Sequence, residues 1–252
     1  MNFLGIFILL AFSINIFADE SKIKDIYKSK NITGSIVIES LDGEFSYKYN
    51  SDNNEAFIPA STFKIPNTLI ILEEGLIKDQ FEVIKWDGVK RAYPPWNQDH
   101  TLKSAFQYSC VWCYQRYAAM LSDEKYRSYL KHFNYGNQIT GKDITSFWLD
   151  GDLRISVNGQ ISFLRKVYDE DLPIHEKHIK TLKNIMLSEN NDHFKVWAKT
   201  GWSGKSGWYV GYLIADNSVW LFSNHIEINS RADLKYRKEL AMESFKALNI
   251  LK

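Results

Sequence analysis

Ser61-Thr62-Phe63-Lys64 is the segment of this chain best suited to covalent chemistry. Residues three apart on a helix share a face, so Lys64 Nζ can reach Ser61 Oγ. A serine becomes a nucleophile when a neighbouring base takes its proton, and a lysine serves only where burial keeps it from being an ammonium. The S-x-x-K pattern is weak alone and begins at Ser21, Ser61, Ser122 and Ser128. Three of these sit in charged sequence (SKIK, SDEK, SYLK). Ser61 alone lies between apolar flanks, FIPA before and IPNTLIIL after, which would keep Lys64 dry. The ring of Pro66 clashes with the Thr62 carbonyl in a regular helix, so the first turn is expected to be distorted or 3₁₀.

Lys199-Thr200-Gly201 is a second candidate. On a strand it would set an ammonium, a hydroxyl and bare backbone along a cleft edge where an anion can dock. Lys205-Ser206-Gly207 fits the same K-[ST]-G pattern, but SGKS reads as the turn between two strands, which puts Lys205 at a hairpin tip. A nucleotide-binding loop ending in this GKS would need glycine where Lys199 stands, and that reading fails. Ser109-Cys110-Val111 opens an aromatic-rich helical run, where a serine is usually a cap. Tyr135-Gly136-Asn137 is an ordinary loop tripeptide by itself, and Phe147-Trp148-Leu149 usually means core. His175-Glu176-Lys177-His178 lacks the H-E-x-x-H spacing, so no metal is expected. Cys110 and Cys113, three apart on one expected helix, could approach each other but in poor geometry for a bridge. Two buried free thiols are expected.

These groups must be held by a scaffold. GSIVIE (34–39) and EFSYKYN (44–50) flank Leu41-Asp42-Gly43, a hairpin signal. A helical run follows from Ser61 to about Glu74, and residues 75–195 read as mostly helical. The tail reverts to strands at 195–202, 207–214 and 218–226, then a helix over about 233–249 with Leu240, Ala241, Phe245 and Leu248 on one face. Strands at both ends with helices between predict an α+β sandwich: an antiparallel sheet from both chain ends, flanked by helices, with an all-helical subdomain inserted. The sheet part spans about 19–60 plus 195–252 and the helical part about 75–194, within one domain over 19–252.

The chain has 252 residues, with 31 Lys+Arg against 30 Asp+Glu. That balance argues against a nucleic-acid binder, whose affinity rests on a basic surface. Hydrophobic residues at 45 % and charged residues at 24 % are those of a globular protein. Leu4 to Ile14 is almost wholly apolar and Ala18 precedes a polar stretch, as in a secretory signal peptide over residues 1–18. The apolar run is shorter than the roughly 20 residues that span a bilayer. Export to the periplasm, with no membrane segment in the mature form, is the expectation.

STFK, SCV, YGN, FWL and KTGW, in this order, together with RAYPPWNQDHTLKSAFQYS and GWYVGYL, resemble the class D (oxacillinase) serine β-lactamases across nearly all of the mature chain. The resemblance implies the penicillin-recognising fold and a β-lactam as small-molecule partner. Ser61 would attack the lactam carbonyl and Lys64 would act as base. No E-x-x-L-N segment supplies a second base for deacylation. The family implies instead that Lys64 carries CO₂ as a carbamate serving both steps, with no other cofactor. Only a neutral amine adds CO₂, so burial must depress a pKa of about 10.4. Trp148, whose indole N–H can only donate, would stabilise the carbamate, with Val111 and Phe63 as walls.

The backbone N–H groups of Ser61 and Trp202 would form the oxyanion hole. Ser109 would relay a proton to the leaving nitrogen, with Lys199 supplying positive potential. Thr200 and an arginine would hold the substrate carboxylate, with Gly201 and Trp202 also binding the substrate. Arg237 is favoured because it shares a helical face with Ala241, Ser244/Phe245 and Leu248; Arg231 is the alternative. A monomer or a homodimer suits this chemistry equally. A β-lactam sensor, a penicillin-binding transpeptidase and a non-enzymatic binding module compete with this reading. A sensor would carry an amino-terminal membrane domain, a transpeptidase lacks the FWL tryptophan, and a binding module needs no buried S-x-x-K lysine.

Overall fold

Strand β9 (Ser206–Ala215) explains the architecture best. Its sequence SGWYVGYLIA is apolar throughout rather than alternating, and almost every residue is buried. A strand buried on both faces belongs to a sheet covered on both sides. The computed structural model, which describes residues 19–252, shows that arrangement. The expected signal peptide over residues 1–18 lies outside the described residues.

Among the described residues, six antiparallel strands form the sheet in the order β2-β1-β10-β9-β8-β7. The amino-terminal part supplies β1 (Gly34–Ser40) and β2 (Ser46–Tyr49), and the carboxy-terminal part supplies β7 (Leu187–Asn190), β8 (Phe194–Ser203), β9 and β10 (Ser218–Glu227). One face packs on helix α1 (described over residues 19–29) and on α8 (Tyr236–Ala247). Ile36, Ile38, Tyr209, Leu213 and Phe222 join Leu240, Ala241 and Phe245 in that core. The other face carries Val37, Trp208, Val210, Tyr212 and Leu221, which pack on the inserted helical layer. The period of two along each strand sorts the residues between the two cores.

The helical layer contains α2 (Lys64–Glu73), α3 (Leu102–Gln107), α4 (Val111–Ala118), α5 (Asp123–Phe133), α6 (Val157–Asp169) and α7 (Glu176–Met186). The α+β sandwich expected from the sequence is the fold found. The insert is not all-helical, however. Short ladders pair β3 (Ala56–Phe57) with β6 (Ile155–Ser156), and β4 (Val83–Ile84) with β5 (His100–Thr101). Two-residue strands are too short to print a period-two pattern. The region read as helical to residue 195 ends instead at Met186, where β7 begins. The last helix likewise starts as a 3₁₀ turn, Arg231–Lys235, before α8.

Candidate active site

The Ser61 turn forms as the Pro66 argument expects. Ala60–Phe63 is a 3₁₀ helix and Lys64 starts α2, its N–H donating to the Ser61 carbonyl. The turn is braced from both sides, since Thr62 Oγ1 donates to the Pro59 carbonyl at 2.7 Å and accepts from Gln160 Nε2 at 2.9 Å. That bracing holds Ala60 at φ +51°, a left-handed conformation costing an L-residue about 1–2 kcal/mol. Lys64 Nζ stands 3.2 Å from Ser61 Oγ. The amine is buried, and burial pushes its pKa down to about 7. It lies 4.9 Å from the centroid of the Tyr114 ring, whose hydroxyl is tied to Thr68 Oγ1 at 2.7 Å.

Alternation along β8 aims Lys199 and Gly201 at the helical layer, on the same side as Trp197 of that core. Lys199 Nζ donates to Ser109 Oγ and, at 2.9 Å, to the Thr200 carbonyl. Burial first, then the charges of Lys64 and Arg237, drive the Lys199 pKa far down. Gly201 has no room for a side chain: a Cβ there would lie 2.9 Å from the Pro59 carbonyl oxygen and 3.2 Å from the Thr62 nitrogen. Glycine therefore lets β8 lie against the Ser61 turn. Arg237 Nη1 donates to the Gly201 carbonyl at 2.8 Å and Nε to the Leu234 carbonyl at 2.7 Å. Burial lowers its pKa to about 10, so it is cationic at neutral pH. Arg231 is exposed and lies over the Trp202 ring at 5.7 Å. A cavity of about 390 Å³ opens beside Lys199 and Thr200, bordered also by Phe106, Ser188, Glu189 and Tyr209.

Trp148 is fully buried, stacked on Phe63 at 5.3 Å and edge-on to Phe147 at 5.0 Å. Its indole N–H has no hydrogen-bond partner among the described residues. A buried orphan donor is costly unless something accepts from it. Val111 and Tyr114 are three apart on α4, so Val111 faces the same side as the ring beneath Lys64 Nζ.

A buried serine–lysine pair, a second serine–lysine pair across the cleft and a half-buried arginine form one constellation. The family model for the penicillin binding protein transpeptidase domain matches residues 21–246. The chain is 42 % identical to β-lactamase OXA-48 of Klebsiella pneumoniae over 79 % of its own length and 76 % of that protein. It is 39 % identical to β-lactamase OXA-20 of Pseudomonas aeruginosa over 88 % and 85 %. This chain belongs to the class D β-lactamases. Among solved structures of that family, the enzyme from Sebaldella termitidis superposes with a TM-score of 0.87 at 40 % identity, covering 91 % of this chain and 96 % of the other. The one from Nostoc gives 0.87 at 35 %, covering 90 % and 98 %.

The site departs from the sequence expectations at Ser109, Cys110 and Cys113. Cys110 and Cys113 are disulfide-bonded rather than free, with their Cα atoms 5.5 Å apart. The expectation placed both on a helix. Cys110 instead is the cap residue before α4, with ψ at 109°, and leaving the helical path brings its side chain back over Cys113. For the same reason Ser109 does not open the helix. It sits one residue earlier at φ +54°, held by its N–H to the Phe106 carbonyl at 3.1 Å, and this turns its hydroxyl toward Lys199. Tyr135-Gly136-Asn137 braces a loop: Asn137 N donates to the Arg154 carbonyl at 2.9 Å, where any Cβ on Gly136 would collide. Sequence reasoning passed over Tyr114 and Gln160. The spacing of Tyr114 from Val111 was the available signal for the first, and the second had none.

Proposed function

We propose that this class D β-lactamase hydrolyses penicillin-type lactams through an acyl-enzyme on Ser61, with Lys64 carboxylated in the working form. Lys64 takes the Ser61 proton as Oγ bonds to the lactam carbonyl carbon. The carbonyl oxygen, now anionic, is held by the N–H groups of Ser61 and Trp202, where losing one such donor costs about 10²–10³ in rate. The carbon–nitrogen bond breaks as Ser109 hands a proton to the nitrogen, and Lys199 favours that transfer by positive potential. The substrate carboxylate rests on Thr200 and Arg237. Lys64 returns the acylation proton to Ser109, water then attacks the ester carbon with loss of its proton to the Lys64 side chain, and Ser61 Oγ leaves with that proton.

One observation carries this reading: a buried lysine amine 3.2 Å from Ser61 Oγ, depressed to about 7 by burial, in a site whose Phe63 wall stacks on Trp148 with its orphaned indole donor. The amine is neutral enough to take up CO₂, and Trp148 Nε1 is the donor a carbamate oxygen needs, with Val111 and Phe63 as dry walls. When bound, CO₂ supplies a carboxylate base in place of an amine. No metal or organic cofactor enters the proposal. Export to the periplasm and a role in antibiotic resistance belong to it as well, as does action as a monomer or homodimer.

The test is hydrolysis of a chromogenic cephalosporin by purified protein, with and without bicarbonate. Turnover that falls after degassing at acid pH and returns with bicarbonate is expected. Stoichiometric acylation without turnover would favour a sensor or transpeptidase. Turnover indifferent to bicarbonate would remove the carbamate.

A further inference from the structure

The H-E-K-H run that fails as a metal motif by spacing acquires a third member in three dimensions. His175 precedes α7 and His178 lies in its first turn, and both turn Nδ1 toward Glu73, the last residue of α2. Glu73 Oε1 is 2.6 Å from His175 Nδ1, and Oε2 is 2.8 Å from His178 Nδ1. The His175 backbone N–H also donates to Oε2 at 3.0 Å, which fixes the plane of the carboxylate. All three ligand atoms lie within 4.8 Å of one another.

We propose that Glu73, His175 and His178 form a binding site for a divalent cation of the zinc type. Two imidazoles and a carboxylate are a donor set that suits Zn²⁺, and one negative charge partly balances the ion. Around zinc, with bonds of about 2.0–2.1 Å in a tetrahedron, neighbouring ligand atoms sit roughly 3.3 Å apart. The present nitrogen–oxygen separations need to open by roughly 0.5–0.8 Å. Each ring moves its proton to Nε2, and the freed Nδ1 lone pair replaces the hydrogen bond. His175 is 73 % exposed at its side chain, so an ion has a path in, whereas Glu73 and His178 are largely buried and hold the site in place. Glu74 is not available as a fourth ligand, since it is paired with Lys125 and Tyr129. The ion would tie the end of α2 to the start of α7. Lys64 stands nine residues up α2, about 14 Å away at 1.5 Å per residue. Zinc here therefore has no direct part in the serine chemistry.

The experiment uses the purified full chain, stripped with EDTA and kept free of reductant so that Cys110 and Cys113 stay bonded. ZnCl₂ is titrated against a chromogenic zinc chelator, and thermal unfolding is followed with and without zinc. One equivalent of Zn²⁺ per chain and a zinc-dependent rise in Tm are expected, with MgCl₂ producing neither. His175→Gln and His178→Gln should each weaken binding at least tenfold and remove the Tm rise. Hydrogen bonding alone would make these variants less stable without any zinc-dependent difference, and that result would overturn the proposal. So would zinc affinity unchanged in the His175→Gln/His178→Gln double variant, or no binding to the wild type below about 100 μM zinc.

Discussion

Replacing Lys64 by methionine should stabilise the protein while destroying its activity, and the gain should shrink as the pH rises. The Lys64 pKa falls from an ordinary 10.5 to about 7 on folding, because burial disfavours the ammonium. Every tenfold loss of proton affinity is worth about 1.36 kcal/mol. The unfolded chain keeps the lysine proton up to about pH 10.4 and the folded chain sheds it near 7, so between those limits the unfolded state binds more protons. Stability of the wild type therefore rises with pH across that window. The cost of the buried lysine is about 4 kcal/mol at pH 7 and about 2 kcal/mol at pH 9 by this linkage. Methionine fills a similar volume and carries no such cost. Urea unfolding of both proteins in CO₂-free buffer measures the difference, with Lys64→Met the more stable at pH 7 and the gap closing by about 2 kcal/mol by pH 9. Lys199 is depressed by burial first and by Lys64 only second, so its titration largely cancels between the two proteins. Bicarbonate should then stabilise the wild type and leave the variant unmoved. A gap constant from pH 7 to pH 9 would refute a burial-depressed Lys64 and, with it, the neutral amine on which CO₂ uptake depends.

Trp148→Ala should slow deacylation more than acylation, seen as a larger burst followed by slower turnover in stopped flow; equal losses in both steps would contradict its assigned role. Arg237→Ala should raise KM for carboxylate-bearing lactams about tenfold or more, the loss of one charge-assisted pair, and an unchanged KM would move the anchor to Arg231. Gly201→Ala should lower kcat/KM at least tenfold, because its Cβ would press on the Pro59 carbonyl and on Thr62 and push β8 off the Ser61 turn; full activity would mean the turn yields freely. Thiol titration in denaturant should find no free cysteine without reductant and two with it, and two thiols in the unreduced protein would restore the free-cysteine reading.

Much of the fold was legible because it rests on local chemistry. The hairpin turn at Asp42-Gly43, the apolar run of β9 and the Pro66 distortion each follow from neighbours in sequence, and the structure repeats them. Ser61, Lys64 and Lys199 stood out by residue type and flanking polarity, whereas Ser109 read as a cap and gained a role only through the resemblance to the class D enzymes. The sequence by itself could determine that Lys64 follows a serine by one turn in apolar surroundings, since helix geometry and side-chain hydrophobicity act over a few residues. Only the tertiary structure decided that Lys199 meets Ser109, that Gly201 is where β8 meets the Ser61 turn, and that Arg237 rather than Arg231 reaches the Gly201 carbonyl. It also decided that Cys110 leaves the helix to join Cys113, and that Glu73 meets two histidines about a hundred residues away. Each is a contact between distant segments, set by how two cores pack on opposite faces of one sheet, and no local propensity encodes the distance between them.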